Sequence, residues 1–115
     1  EVIFVPDTSN AFNAWNKPYE TFPIGSIDLD SRLAFYEHAH MNFFGSNGPA
    51  ALGWYGKIPF IGFGVRGEGY MSKDDWQSLR LPVGTQPPFF LSRQKIVWER
   101  ETVNLVLNEF ELLNY

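Results

Sequence analysis

The chain has no cysteine, which excludes disulfides, thiolate chemistry and cysteine-ligated zinc. It is poor in charge: Asp, Glu, Lys and Arg make up 19% of its residues, where about a quarter is usual. Basic residues are the scarcer sign, nine against thirteen acidic, for a net charge of −4. Their tightest group is Arg93, Lys95 and Arg100 beside Trp98, and Glu99, Glu101, Glu109 and Glu111 offset it. Nucleic acid calls for a basic face that displaces counterions, so no nucleic-acid partner is expected. No apolar run reaches the roughly eighteen residues of an ordinary transmembrane helix. There is no N-x-Ser/Thr sequon, and therefore no sign of an N-glycosylated surface. The chain opens on Glu1 and runs straight into Val2-Ile3-Phe4-Val5, which reads as a processed chain or a piece of a larger one.

What is abundant is aromatic. Phe, Trp and Tyr are 17% of the 115 residues, and Phe alone occurs eleven times. That length fits one domain spanning 1–115. Folding would bury roughly 65% of the unfolded surface, enough for one hydrophobic core. Between Phe43 and Tyr70, eight of the ten glycines lie among seven aromatic residues, with Lys57 the one charge in the first 23 positions. Glycine permits close backbone approach and sharp turns, and each ring carries roughly 150–250 Å² of burial. This segment predicts a tightly packed apolar sheet.

The remaining patterns place elements around it. Val2–Val5 reads as a short strand stopped by Pro6. Residues 6–26, rich in Asn, Pro and Ser and carrying Phe12, Trp15, Tyr19 and Phe22, predict an extended arm pinned by rings. A strand at Tyr19–Ile24 is the alternative for its second half. Ile27–Asp30 has a brief strand alternation. A helix is expected over 31–44, capped by Asp30 or Ser31 and closed by Gly45; a strand with Leu33, Phe35, Ala39, Met41 and Phe43 on one side competes with it. After a turn at 46–49, Ala51–Tyr55, Ile58–Gly64 and Arg66–Met71 read as Gly-bent strands. Ser72 and Asp75 fit the S-x-x-[DE] signature of a helix start. Residues 82–88 form a stiff connector, and Phe89–Leu91 and Lys95–Trp98 read as strands. At the C-terminus, Glu101, Asn104, Asn108, Glu111 and Tyr115 alternate with an apolar set of Val103, Val106, Leu107, Phe110 and Leu113, an amphipathic helix signature. The expected fold is α+β: a Gly-bent antiparallel sheet from 51 to 98 covered by helices near 31–44 and 99–114. An all-β sandwich or barrel is the alternative.

Motifs that carry chemistry are sparse. Gly62-Phe63-Gly64-Val65-Arg66-Gly67 matches the dinucleotide fingerprint G-x-G-x-x-G, but no helix start follows it and no strand-to-helix alternation surrounds it in the sequence. His38 and His40, the only histidines, form an H-x-H pair. On a strand they could share a metal with Asp28 or Asp30; on a helix, residues two apart point about 200° from one another and cannot. Asp28/Asp30 and Asp74/Asp75 are the closest carboxylate pairs, with no nucleophile tied to either. No catalytic triad assembles, and no cofactor is expected.

The best lead is the doubled aromatic faces. Neighbours such as Trp54–Tyr55, Phe43–Phe44 and Phe89–Phe90 point to opposite sides of an extended strand, which calls for a second covered face: a helix layer, a ligand or a partner. Trp15, Trp54, Tyr55, Phe60, Phe63 and Trp98 are the candidate binding residues. They fit a non-catalytic structural or interaction subunit, with other protein subunits or further copies of itself as partners. The alternative is a small-ligand or carbohydrate-binding protein or enzyme with an aromatic pocket. A third is shallow contact with a membrane interface, where Trp and Tyr are favoured.

Overall fold

The computed structural model describes residues 1–6, 18–45, 49–63 and 72–113. Phe12, Trp15, most of the turn expected at 46–49, the strand expected at Arg66–Met71 and Tyr115 lie outside the described residues, as does most of the G-x-G-x-x-G string. Within the described residues the fold mixes helix and strand, and its contacts divide into two units, Glu1–Ala39 and His40–Tyr115.

In the first unit, β1 (Ile3–Phe4) runs parallel to β2 (Glu20–Thr21), with Ile3 opposite Glu20 and Phe4 opposite Thr21. Phe22 N–H donates to Phe4 O at 2.8 Å. The strand alternative at Tyr19–Ile24 thus fits the second half of the arm better than a featureless loop. A 3-10 helix at Pro23–Ser26 follows, tied back by the Ser26 hydroxyl to Pro6 O at 2.5 Å. The expected strand at Ile27–Asp30 is instead a helix start. Asp28 accepts a hydrogen bond from Ser31 N–H at 2.9 Å, and α1 runs Leu29–His38. Phe35 stacks on Phe22 with ring centroids 4.6 Å apart, and Tyr36 is buried.

The expected helix over 31–44 is right only in its first part. The chain leaves α1 at Ala39 and forms β3 (Asn42–Phe44). Two adjacent rings explain the change. A strand sends Phe43 and Phe44 to opposite faces, where each finds its own cluster, which a helix cannot do. Asn42 fixes the strand start, since its backbone N–H and its side-chain amide both donate to Pro59 O, at 3.1 and 3.0 Å.

The second unit alternates strand and helix: β3, α2 (Ala50–Trp54), β4 (Phe60–Gly62), α3 (Lys73–Ser78), β5 (Gln94–Ile96) and α4 (Val103–Leu113). The sheet order is β3-β4-β5 and both pairings are parallel. This overturns the antiparallel sheet expected from sequence, and the sheet is not a barrel. Parallel neighbours cannot be joined by a tight hairpin and need a crossover; α2 and α3 lie in those crossovers. Ala51–Tyr55, expected as a strand, falls in and just after α2, because Ala-Ala-Leu favours helix and Pro49 opens it. Phe89–Leu91, also expected as a strand, is irregular: Pro87-Pro88-Phe89-Phe90 form a turn, with Phe90 N–H donating to Pro87 O at 3.1 Å. The C-terminal helix forms within its expected span.

Both faces of the sheet are covered by the chain itself, as parallel sheets require. On one side Ile96 and Trp98 pack with Trp76 of α3, Trp54 of α2, Leu81, Val83 and Phe90. On the other, Ile61, Phe63 and Val97 pack with Met41 and with Leu105, Val106, Phe110 and Leu113 of α4. Strand alternation assigns the residues: Ile96 and Trp98 to the first side, Val97 to the second. An ion pair, Lys95 Nζ to Glu109 Oε2 at 2.6 Å, ties α4 to β5.

Candidate functional site

Six-residue α3 is bracketed at both ends. Ser72 and Asp75 form a reciprocal capping box: Asp75 N–H donates to the Ser72 hydroxyl at 3.1 Å, and Ser72 N–H to the Asp75 carboxylate at 2.9 Å. At the other end Leu81 N–H reaches Trp76 O at 3.0 Å and Arg80 N–H reaches Gln77 O at 2.9 Å. This is the Schellman pattern. So held, Trp76 becomes the hub of an aromatic chain. It stacks on Trp54 (5.9 Å, 19°) and meets Trp98 edge-on (5.3 Å, 89°). Trp98 is fixed in turn by its indole N–H, which donates to Thr85 O at 2.8 Å.

From Trp54 the chain of rings continues to Phe90 (5.3 Å, 87°), which touches both Phe60 (5.1 Å) and Phe89 (5.4 Å). Phe89 stacks on Tyr55 with nearly parallel rings, centroids 5.8 Å apart at 13°. The network therefore runs from the core to the surface. Phe60 is fully buried, whereas Phe89 is 49% exposed and Tyr55 80%. Of the candidate binding residues, Trp54, Tyr55, Phe60 and Trp98 belong to this one network. Phe63 lies on the opposite face of the sheet, stacked against Phe43 at 6.4 Å. Trp15 is outside the described residues. Phe89, which pairs with Tyr55, was missed as a candidate; its adjacency to Phe90 carried the signal, since one ring of such a pair must face away from the core.

A second surface lies on α4. Thr102 opens the helix, its hydroxyl accepting from Leu105 N–H at 3.2 Å. Seven of the eleven residues of α4 are apolar, yet none is buried. Leu105, Val106, Phe110 and Leu113 pack on the sheet. Val103 and Leu107, one turn apart and expected on the packed side, are instead 77% and 55% exposed. With Glu101, Thr102 and Val106 they line an open, mainly apolar groove. Leu112 is exposed as well.

The ionisable groups are placed structurally. The Ser31 hydroxyl and backbone hold the Asp28 carboxyl below its ordinary range, and the Ser72 backbone and hydroxyl do the same for Asp75. Glu1 holds the Glu20 carboxyl above its ordinary range, first through a shared hydrogen bond and then by like charge. His38 Nδ1 lies 2.8 Å from Ala34 O, within its own helix. His40 meets Phe110 edge-on, 6.4 Å between centroids. Among the described residues no three His, Asp or Glu side chains gather in metal-binding geometry, and no helix is long and apolar enough to cross a membrane. The chain matches no family model, no curated protein and no solved structure.

Proposed function

We propose that this chain is a non-catalytic interaction subunit that assembles with further copies of itself through the uncovered apolar margin of α4 at Val103 and Leu107. The observation that carries this reading is an apolar arc on α4 that is wider than the part the sheet covers. Its inner side already packs on β4 and β5, and Val103, Leu107 and Leu112 remain turned to solvent. A helix apolar beyond one stripe is ordinarily covered beyond one stripe. Covering each of these side chains recovers on the order of 1 kcal/mol. Around the helix Glu111, Asn104 and Asn108 lie next to Leu107 and separate it from Leu112, so they border the Val103–Leu107 patch on its solvent side.

Light scattering on the native chain tests this. The expected mass is a multiple of 13.2 kDa, falling to the single-chain value in Leu107→Asp. That substitution touches an exposed position and leaves the packed stripe of α4 intact. A native chain that stays monomeric at high micromolar concentration removes the proposal.

A second reading, a carbohydrate- or small-ligand-binding protein, is favoured by one feature: the stacked, solvent-exposed Tyr55–Phe89 pair. Aromatic faces of this kind take the apolar side of a ring-shaped ligand. Titration with soluble oligosaccharides should quench or enhance Trp54 fluorescence through the ring network, and Tyr55→Ala should abolish the response. A flat titration up to millimolar sugar disposes of it.

A further inference from the structure

The two edges of the β3-β4-β5 sheet are finished differently. Beside β5, Arg93 O and Val97 N–H bond to β4, at 2.9 Å from Phe60 N–H and 2.8 Å to Gly62 O. Gln94 and Ile96 therefore turn their backbone groups to the outer side. There Gln94 N–H is met by Leu91 O at 3.0 Å, and Ile96 N–H and O by the Gln86 side-chain amide, each at 2.8 Å. On β3, Asn42 N–H bonds Pro59 O at 3.1 Å and Phe44 O accepts from Phe63 N–H at 2.8 Å. Phe43, between them, turns its N–H and C=O away from β4. Neither group has a hydrogen-bond partner among the described residues, and Phe43 is 47% exposed. From His40 to Gly45 this edge carries neither lysine nor proline, the residues that commonly blunt an open strand.

The open edge adjoins the uncovered margin of α4. Glu109 reaches Lys95 on β5 from one side of the helix. Phe110, about 100° round, meets Phe43 on β3, ring centroids 6.1 Å apart. Val103 and Leu107 lie about 20° and 60° further round in the same sense, which puts the exposed margin of α4 on the β3 side. Arg93 holds edge and helix in one frame. Its Nη2 donates to His40 O at 3.1 Å, just before β3, and its Nε to Leu113 O at 3.3 Å, at the end of α4.

We propose that the edge of β3 pairs antiparallel with β3 of a second copy of this chain, about a two-fold axis at Phe43, joining two three-stranded sheets into one. This rests on the self-association assigned to α4 and gives it a geometry. A second copy is the fitting occupant on two counts. In a pair centred on Phe43 the two Phe43 residues exchange both N–H···O bonds, which satisfies the open groups of both chains. The same register sets Met41 opposite Gly45 and Asn42 opposite Phe44, and brings no like charges together. The two-fold axis also puts both α4 helices on one face of the joined sheet. Their Val103–Leu107 margins then face each other across the paired Phe43 rings.

Hydrogen exchange on the native chain tests this without a substitution. The Phe43 amide should exchange about tenfold slower or more as the chain is concentrated from low to high micromolar. In Leu107→Asp it should exchange fast at every concentration. A native oligomer whose Phe43 amide stays fast overturns the edge pairing and leaves the α4 reading standing. A native chain that stays monomeric overturns both. A cross-link checks the register. Residues that exchange both bonds stand about 5.5 Å apart at Cα, within reach of a disulfide, and the chain has no cysteine of its own. Under mild oxidation at high micromolar concentration, Phe43→Cys should form a linked dimer about tenfold faster or more than Tyr55→Cys, a site that is 80% exposed. Equal rates overturn the proposal. Should Phe43→Cys fail to fold, the exchange measurement on the native chain decides alone.

Discussion

Two backbone positions show how closely single residues are held. A Cβ placed on Gly53 in α2 would stand 2.5 Å from the Phe44 ring and 3.2 Å from Phe60, which is itself fully buried. Glycine within a helix ordinarily costs about 1 kcal/mol relative to alanine, so Gly53→Ala has a gain to set against the clash. Overpacking at a site with no room to yield costs about 1–3 kcal/mol, and the ring cannot move without displacing Phe60. The expected outcome of Gly53→Ala is a net loss of up to about 2 kcal/mol in urea unfolding. Arg80 gives the opposite sign. It sits at φ 59° at the end of α3, in the left-handed region that costs an L-residue about 1–2 kcal/mol. Its side chain is exposed, so Arg80→Gly relieves strain and removes no packing. Part of the gain is lost to the greater freedom of glycine in the unfolded chain. A stabilisation of about 0.5–1 kcal/mol is expected from the same measurement.

At the scale of elements, the bracketing of α3 and the docking of α4 are separable. Ser72→Ala should cost about 1 kcal/mol by removing the cap. Asp75 adds a pH dependence. Its folded pKa lies below the ordinary carboxylate value because Ser72 bonds its charged form. Its contribution is therefore complete above the unfolded value of about 3.9 and lost as pH falls through the folded value. Asp75→Asn should flatten the acid limb of a stability-versus-pH curve and leave its shape above about pH 5 unchanged. Glu109→Gln cuts the tie between α4 and β5 at a pair that is mostly shielded from water, for an expected loss of about 1–2 kcal/mol. What the sequence disclosed follows the same division. The cap at Ser72 was legible because it needs only neighbouring residues; the two-sidedness of Phe43–Phe44 holds only on a strand, which the helix expected over 31–44 denied them. Strand direction was not. Strands of three residues such as Phe60-Ile61-Gly62 are too short to show a period, and their parallel pairing depends on crossovers that Ala50–Trp54 concealed as one more apolar run. The Schellman end of α3 was hidden by an arginine where glycine is usual. The exposure of Val103 and Leu107 was hidden because an apolar set at helical spacing does not say which side the sheet takes. Tyr55 stood among the candidate rings with nothing to separate it from the buried Phe60 and Trp98, and its partner Phe89 depended on the turn at Pro87-Pro88.

At the scale of the whole molecule, the aromatic excess divides between cover that the chain supplies and surface that it leaves open. The helices of the second unit shield both faces of its sheet, so its doubled rings do not by themselves demand a partner. Val103, Leu107 and Leu112 of α4 and the Tyr55–Phe89 pair stay open to solvent. If α4 is an assembly surface, stability must be linked to concentration, because only the folded chain presents the groove. An assembly that binds folded chains stabilises them by RT ln(1 + [L]/Kd), about 2.7 kcal/mol at one hundred times Kd. For a domain of this size that corresponds to an increase in Tm of roughly 10 °C or more. The native chain should therefore melt progressively higher as it is concentrated from low to high micromolar, and Leu107→Asp should melt at one temperature throughout. Salt separates this surface from one held by charge. Apolar contacts are not screened, so the slope for the native chain should persist at about 1 M salt, where the Debye length is near 3 Å. A native Tm independent of concentration would show that Val103 and Leu107 of α4 stay exposed and serve no self-association.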